Sequence, residues 1–79
     1  MNDKRQVNTI ASEILNHWNK PYFGAIPYLT AMLHLHSIND KYFYDDARSI
    51  INYFLANAKT FRGEDAKRLK LELKSMLKG

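Results

Sequence analysis

The sequence predicts an all-α fold, a small compact bundle of about four helices formed as one domain by residues 1–79. Two observations predict it. Four segments repeat apolar residues at the spacing of an amphipathic helix, and no segment alternates apolar and polar residues as a half-buried strand does. The chain of 79 residues is also shorter than a typical domain of roughly 100 to 150 residues, so we expect no second domain.

The first helix is predicted from about Asp3 to Asn19, because its apolar side chains form one stripe at i, i+3, i+4 spacing. Pro21 ends it, since proline disfavours a helical residue before it. The second helix is predicted from Pro27 to about His36, and the fixed φ of proline suits its first turn. This helix has little polar face, so we expect it to be the most buried, at the centre of the fold.

Residues 37–44 should form a turn. The KYFY segment inside it could pass as a short strand, but it has no obvious partner. The third helix is predicted from about Asp45 to Lys59, because carboxylates favour the positive start of a helix. The fourth begins near Phe61 and runs to about Lys78. The predicted core comprises Ile10, Ile14, Leu15, Trp18, Leu29, Met32, Leu33, Ile50, Ile51, Phe54, Leu55, Leu69 and Leu73.

Composition excludes several classes of protein. The chain has no cysteine, so it forms neither disulfides nor thiolate zinc sites. Its apolar fraction of 46% is too high for a disordered chain. No apolar run reaches the roughly 20 residues that span a bilayer, and no apolar signal segment follows the charged start. We therefore expect a cytoplasmic protein without a membrane partner.

The residue types of a catalytic or metal site are present but poorly spaced. His34 and His36 stand near Asp40, Asp45 and Asp46, yet two residues that are two positions apart on a helix point about 200° apart, so they cannot share a metal. The serines lie in no nucleophile-elbow pattern, and the three glycines are too scattered for a phosphate-binding loop. The sequence therefore predicts no metal, no cofactor and no enzymatic activity.

The fourth helix is strongly basic. Residues 62–79 carry six basic and three acidic side chains, which accounts for most of the net charge of +4. The basic side of the fourth helix could be only a solvated face that keeps a small protein in solution. It could also contact nucleic acid, in which case the binding residues would be Arg62, Lys67, Arg68, Lys70, Lys74 and Lys78.

More aromatic side chains occur than a core of 79 residues can easily bury. Several fall in connections or away from the helical stripes, where they would be buried only if the connections fold back. Exposed, they would form a contact surface for another protein or for a second copy in a homodimer. The predicted partner-binding residues are Tyr22, Phe23, Tyr42, Phe43, Tyr44, Phe61 and Leu71.

The stretch from Gly24 to Leu77 is similar to a group of short proteins encoded by bacteriophages and prophages. The similarity consists of a Pro-Tyr-Leu helix start at 27–29, a YFL-x-NA helix end at 53–58, and an aromatic-Arg-Gly-Glu step at 61–64 into a lysine-rich helix. The group has no assigned activity, so it carries over no functional residue. It implies a mobile-element protein in a bacterial cytoplasm.

Together these features favour a non-catalytic protein-binding module, of the kind that a phage encodes to modulate a host protein. The surplus aromatic residues and the lack of a catalytic constellation support this hypothesis. The alternative is a nucleic-acid-binding accessory protein that uses the basic fourth helix.

Overall fold

The structure is a computed structural model that describes residues 5–78. This part of the chain is mostly helical, and an antiparallel two-stranded ribbon is its one departure from the predicted all-α composition. A short 3₁₀ turn precedes the second helix. The elements are, in chain order, α1 (Val7–His17), the 3₁₀ turn (Phe23–Ala25), α2 (Ile26–Met32), β1 (Lys41–Tyr42), β2 (Asp45–Asp46), α3 (Ala47–Ala56) and α4 (Glu64–Lys78).

The four helices contact one another in a closed cycle. Helix α1 packs on α2 and α4, while α3 packs on the same two helices from the other side. Helices α2 and α4 therefore lie diagonally opposite each other. The prediction that α2 is a central, buried helix is met only in part: Leu29, Ala31 and Met32 are buried, but Ile26, Pro27 and Thr30 are exposed.

The core is wholly apolar: within residues 5–78 no polar or charged residue is buried. Two predicted core residues are wrong, since Leu15 is 41% exposed and Leu33 is 36% exposed, and a third, Leu55, is half-buried. Leu15 lies at the edge of the α1 stripe, and Leu33 follows α2 on its uncovered side. The confirmed core residues are Ile10, Ile14, Trp18, Leu29, Met32, Ile50, Ile51, Phe54, Leu69 and Leu73.

The start of α1 is capped by backbone from a distant segment. The predicted start at Asp3 lies outside the described residues, and the helix begins at Val7. The amide groups of Val7 and Asn8 donate to the carbonyl oxygens of His36 and Leu35, at 3.3 and 2.9 Å. Helix α2 accordingly ends at Met32 rather than His36, because the residues after it leave the helix and satisfy α1 instead.

The KYFY segment does form a strand, and its partner is the segment that follows it. Tyr42 pairs with Asp45, which leaves Phe43 and Tyr44 as a two-residue loop. Asp46 then caps α3 by accepting the amide hydrogen of Ser49 at 2.8 Å, as the predicted acidic helix start requires. This bond lowers the pKa of Asp46.

The connection between α3 and α4 turns inward, and this corrects one predicted site residue. Phe61 is only 2% exposed and stacks on Trp18, with ring centroids 5.0 Å apart; the Trp18 ring also meets Phe54 edge-on at 6.3 Å. Phe61 was predicted to contact a partner, and that prediction is wrong because its ring completes the core. Helix α4 begins at Glu64, just after its predicted start, and ends at Lys78 as predicted.

Across residues 5–78, none of the helices combines the length and the apolar composition that crossing a bilayer requires.

Candidate functional site

The uncovered side of α2 presents apolar side chains to solvent. Ile26, Thr30 and Leu33 follow one another at i, i+4 and i+7, so they share one face of the helical turn, and all three are exposed. Residues 21–38 contain no Asp, Glu, Lys or Arg. An exposed surface without charged side chains is unusual for a protein that otherwise carries 25% charged residues.

An aromatic pair lies where α2 begins. The rings of Tyr22 and Phe23 are 4.9 Å apart, and Phe23 is 77% exposed. The Tyr22 ring lies directly over Gly24, where a Cβ would come within 2.5 Å of it. Glycine at this position therefore lets the pair fold closely against the 3₁₀ turn.

A second aromatic group lies where α2 ends. His34 stacks on Tyr42 of β1 at 5.4 Å, and Tyr42 meets Phe43 at 4.6 Å. Phe43 is 81% exposed, and Tyr44 is fully exposed. The His34 ring thus joins the ribbon to the uncovered side of α2. We use the name α2 face for the exposed or half-buried apolar and aromatic residues on and beside α2, which are Tyr22, Phe23, Ile26, Leu33, His34, Tyr42, Phe43 and Tyr44.

The tip of the ribbon has a strained backbone. Phe43 has a φ of 57°, the left-handed region that glycine and asparagine adopt readily and bulky residues avoid. The base of the ribbon is fixed by Asp40, whose carboxylate accepts the amide hydrogens of His36 at 2.7 Å and Ser37 at 3.4 Å. The His36 amide is the main reason that the pKa of Asp40 is lowered. The base of the ribbon is thus held by hydrogen bonds, while the rings of Phe43 and Tyr44 stand on a turn with a strained backbone.

The α2 face contains most of the aromatic residues that the sequence predicts as partner-binding. Tyr22, Phe23, Phe43 and Tyr44 are exposed on it, while Tyr42 is half-buried. Leu71 is 59% exposed, but it lies on α4, away from these rings. Of the seven predicted partner-binding residues, five therefore belong to the α2 face, Phe61 lies in the core and Leu71 lies on α4; the five are Tyr22, Phe23, Tyr42, Phe43 and Tyr44.

Three members of the α2 face, Ile26, Leu33 and His34, were missed by the sequence prediction of partner-binding residues. Ile26 is 47% exposed and Leu33 is 36% exposed, although Ile26 was assigned to a loop and Leu33 to the core. The charge-free run of residues 21–38 was the signal available. Such a run fits a buried helix and an exposed uncharged surface equally well, and in the structure Leu29 and Met32 are buried while Ile26 and Leu33 are exposed.

The predicted basic residues divide into two groups. Arg62, Lys67, Lys74 and Lys78 are exposed, and Lys70 is half-buried with its ammonium 5.8 Å from the centroid of the Phe61 ring. The sixth residue, the guanidinium of Arg68, is bonded to Glu13 at 2.6 Å and to Asp65 at 3.1 Å. Arg68 does not belong to the basic patch, because its charge is neutralised within the protein.

Arg68 is part of an ion-pair network between α1 and α4. Arg5, just before α1, bonds Glu72 with two nitrogens at 2.8 and 2.6 Å and Glu13 at 2.7 Å. Hydrogen bonds from Arg68 and then Arg5 lower the pKa of Glu13 to about 2. The same network raises the pKa of Arg5 and of Arg68. His17 of α1 lies beside the same network, 3.9 Å from Glu13 and 3.4 Å from Asp65, and the arrangement ties the two helices together.

The histidines and carboxylates around the ribbon do not converge. His34 is stacked on Tyr42, and His36 lies 3.4 Å from Asp40 in a pair of its own. Among the residues that the structure describes, no three or more His, Cys, Asp or Glu side chains are placed to hold a metal ion.

Comparison of the chain with protein-family models, with curated proteins and with solved structures found no match.

Proposed function

We propose that this protein is a non-catalytic binding module that docks a partner protein through the α2 face. The observation that carries the proposal is the tip of the ribbon. There a phenylalanine with a φ of 57° exposes 81% of its surface beside a fully exposed tyrosine. Strained, exposed residues on a rigid base are typical of sites retained for binding rather than for stability.

The energetics of the tip favour this interpretation. A left-handed backbone costs an L-residue about 1–2 kcal/mol, and an exposed ring recovers little of that cost by burial. Asparagine or glycine at position 43 would avoid the cost. Phenylalanine at position 43 therefore destabilises the isolated protein, and contact with a partner would offset this free-energy cost by burying the ring.

The composition of the α2 face suits a protein partner. The centres of protein interfaces are depleted in charged residues and enriched in aromatic ones, as this face is between Phe23 and Leu33. Aromatic residues also dominate the energetics of such interfaces. The matching surface on the partner should be apolar and free of unpaired charges, since burying a charge against this face would leave it without a counter-ion.

We further propose, as the resemblance to short phage-encoded proteins would imply, that the partner is a bacterial host protein and that the chain modulates it. A second copy of the chain is the competing occupant of the same face. Either occupant would bury Phe23 and Phe43, so substitution of these two residues tests both occupants.

The experiment is an affinity capture with the full chain immobilised in a nuclease-treated lysate of its source cell, followed by mass spectrometry. We expect one protein at near-stoichiometric yield. The double variant Phe23→Ser/Phe43→Ser should lose it, and raising the salt concentration should change the yield little, because the face is uncharged.

The matched control is Leu71→Ser, which removes a side chain of 59% exposure from α4 instead. It should retain the captured protein. Equal capture by the wild-type chain and by the double variant would refute the proposal. Sedimentation of the purified chain tests the competing occupant: a dimer that the double variant dissociates would identify the partner as a second copy.

A further inference from the structure

The charges of α4 are sorted onto two sides of the helix. Its acidic residues Asp65 and Glu72 face α1, where they pair with Arg68 and Arg5. The other side carries cations only, apart from Glu64 in the first turn. Within residues 5–78, none of the ion pairs involves Arg62, Lys67, Lys70 or Lys74, which lie together on this side, or Lys78, which follows on the same side in the last turn.

These four cations form a cluster, which we call the cationic cluster. Lys67, Lys70 and Lys74 fall within about 60° around the helix axis, with axial separations of about 4.5 and 6 Å. Arg62 faces them across a shallow depression of about 460 Å³, which is lined by Phe61, Arg62, Gly63, Glu64, Lys67 and Lys70. The cluster is therefore a short row with one guanidinium beside it.

The protein holds this row together against electrostatic repulsion. Burial and then the positive charges of Lys74 and Arg62 lower the pKa of Lys70. The ammonium of Lys70 lies over the Phe61 ring, 5.8 Å from its centroid, and this cation–π contact favours its position beside its charged neighbours. Negative charge brought to the depression would relieve the repulsion.

We propose that the cationic cluster binds the phosphate backbone of duplex nucleic acid without regard to base sequence. A row of lysines on one helix face matches successive phosphates as point charges. Base-reading side chains are lacking at the cluster, where Arg62 is the only group able to make a bidentate contact. A single strand is disfavoured because the one aromatic ring at the cluster, Phe61, is buried and offers no stacking platform.

This activity is independent of the α2 face. Helices α2 and α4 are diagonally opposite in the packing cycle. The ribbon lies near the other end of α4, since Arg48, just after β2, donates to the carbonyl oxygen of Leu77 at 2.8 Å. One chain could therefore hold a protein and a duplex at the same time.

The test is fluorescence anisotropy of a labelled duplex of about 20 base pairs, titrated with the full chain between about 50 and 200 mM salt. Four phosphate contacts predict a slope of about −3.6 for log K against log salt, which is an affinity loss of about 150-fold over this range. The variant Lys67→Gln/Lys74→Gln should have a slope of about −1.8, so its affinity should fall by only about 12-fold over the same salt range. Both replaced side chains are exposed, so the variant should melt like the wild type.

The matched control is Lys20→Gln/Lys41→Gln, which removes two exposed lysines that lie outside the cluster. It should keep the wild-type slope, and Lys67→Arg/Lys74→Arg should keep it too. Equal loss of slope in the two glutamine variants would overturn the proposal, because net charge alone would then explain binding. Failure to bind the duplex at about 50 mM salt would overturn the proposal as well. This holds even if the chain binds anionic vesicles or polyglutamate instead. Tighter binding to a single strand than to the duplex would also refute it.

Discussion

The substitution Phe61→Ala tests the inward turn of the connection between α3 and α4. Burying a phenylalanine contributes about 1.5–3 kcal/mol, and its stacking on Trp18 adds about 0.5–1.5 kcal/mol. Removing the ring also leaves a cavity, so the whole cost should be about 3–5 kcal/mol. Domains of this size are stable by about 5–15 kcal/mol, so the substitution would remove a large part of the free energy of unfolding.

Thermal unfolding followed by circular dichroism measures this cost. In a domain of this length each kcal/mol shifts Tm by about 4–8 °C, so Phe61→Ala should lower Tm by at least about 12 °C. The matched control is Phe23→Ala, the same chemical change at a ring that is 77% exposed, which should alter stability by less than about 0.5 kcal/mol. A similar Tm for the two variants would refute the placement of Phe61 in the core.

Three further predictions concern stability. Gly63 has a φ of 113°, so Gly63→Ala should cost about 1–3 kcal/mol in urea denaturation even though nothing lies within 4 Å of the added Cβ; an unchanged midpoint would show that this backbone angle is wrong. Asp46→Ala removes the N-cap of α3 and should lower Tm by about 4–8 °C, whereas Asp46→Asn should restore most of it if capping is the cause. The pKa of Glu13 is lowered from 4.5 to about 2, so its contribution is complete above pH 4.5 and is lost as the pH falls towards 2. Glu13→Gln should flatten that part of the stability curve, and parallel acid unfolding of the two proteins would contradict the network.

The helices were predictable because their signals are local. The acidic first turn and lysine-rich last turn of α4 placed its ends within a few residues, and the apolar periods of α1 and α3 identified most of the core. The end of α2 was not predictable in this way. Leu35 and His36 continue an apolar, helix-compatible run, and only their bonds to the start of α1, nearly thirty residues earlier in the chain, remove them from the helix.

The functional surfaces were partly predictable for a related reason. An excess of aromatic residues indicates a contact surface, but composition does not decide which ring is buried. Phe61 and Phe43 both lie in connections, and one completes the core while the other is 81% exposed. Charge has the same ambiguity: Arg68 belongs to the basic helix by sequence, yet its partner Glu13 lies on a different helix.

The capping of α1 by backbone has a consequence for how the protein opens. Amides in the first turn of a helix usually exchange with solvent freely, because they have no partner within the helix. Here the first two amides of α1 are bonded to the segment that follows α2, so they should exchange only when that segment detaches. Among substitutions, only proline at Val7 or Asn8 would delete a bond of this cap directly, because proline has no amide hydrogen. Slow exchange at Val7 and Asn8 would therefore report on the attachment of the chain between α2 and the aromatic ribbon, including any loosening or tightening when a partner occupies the α2 face.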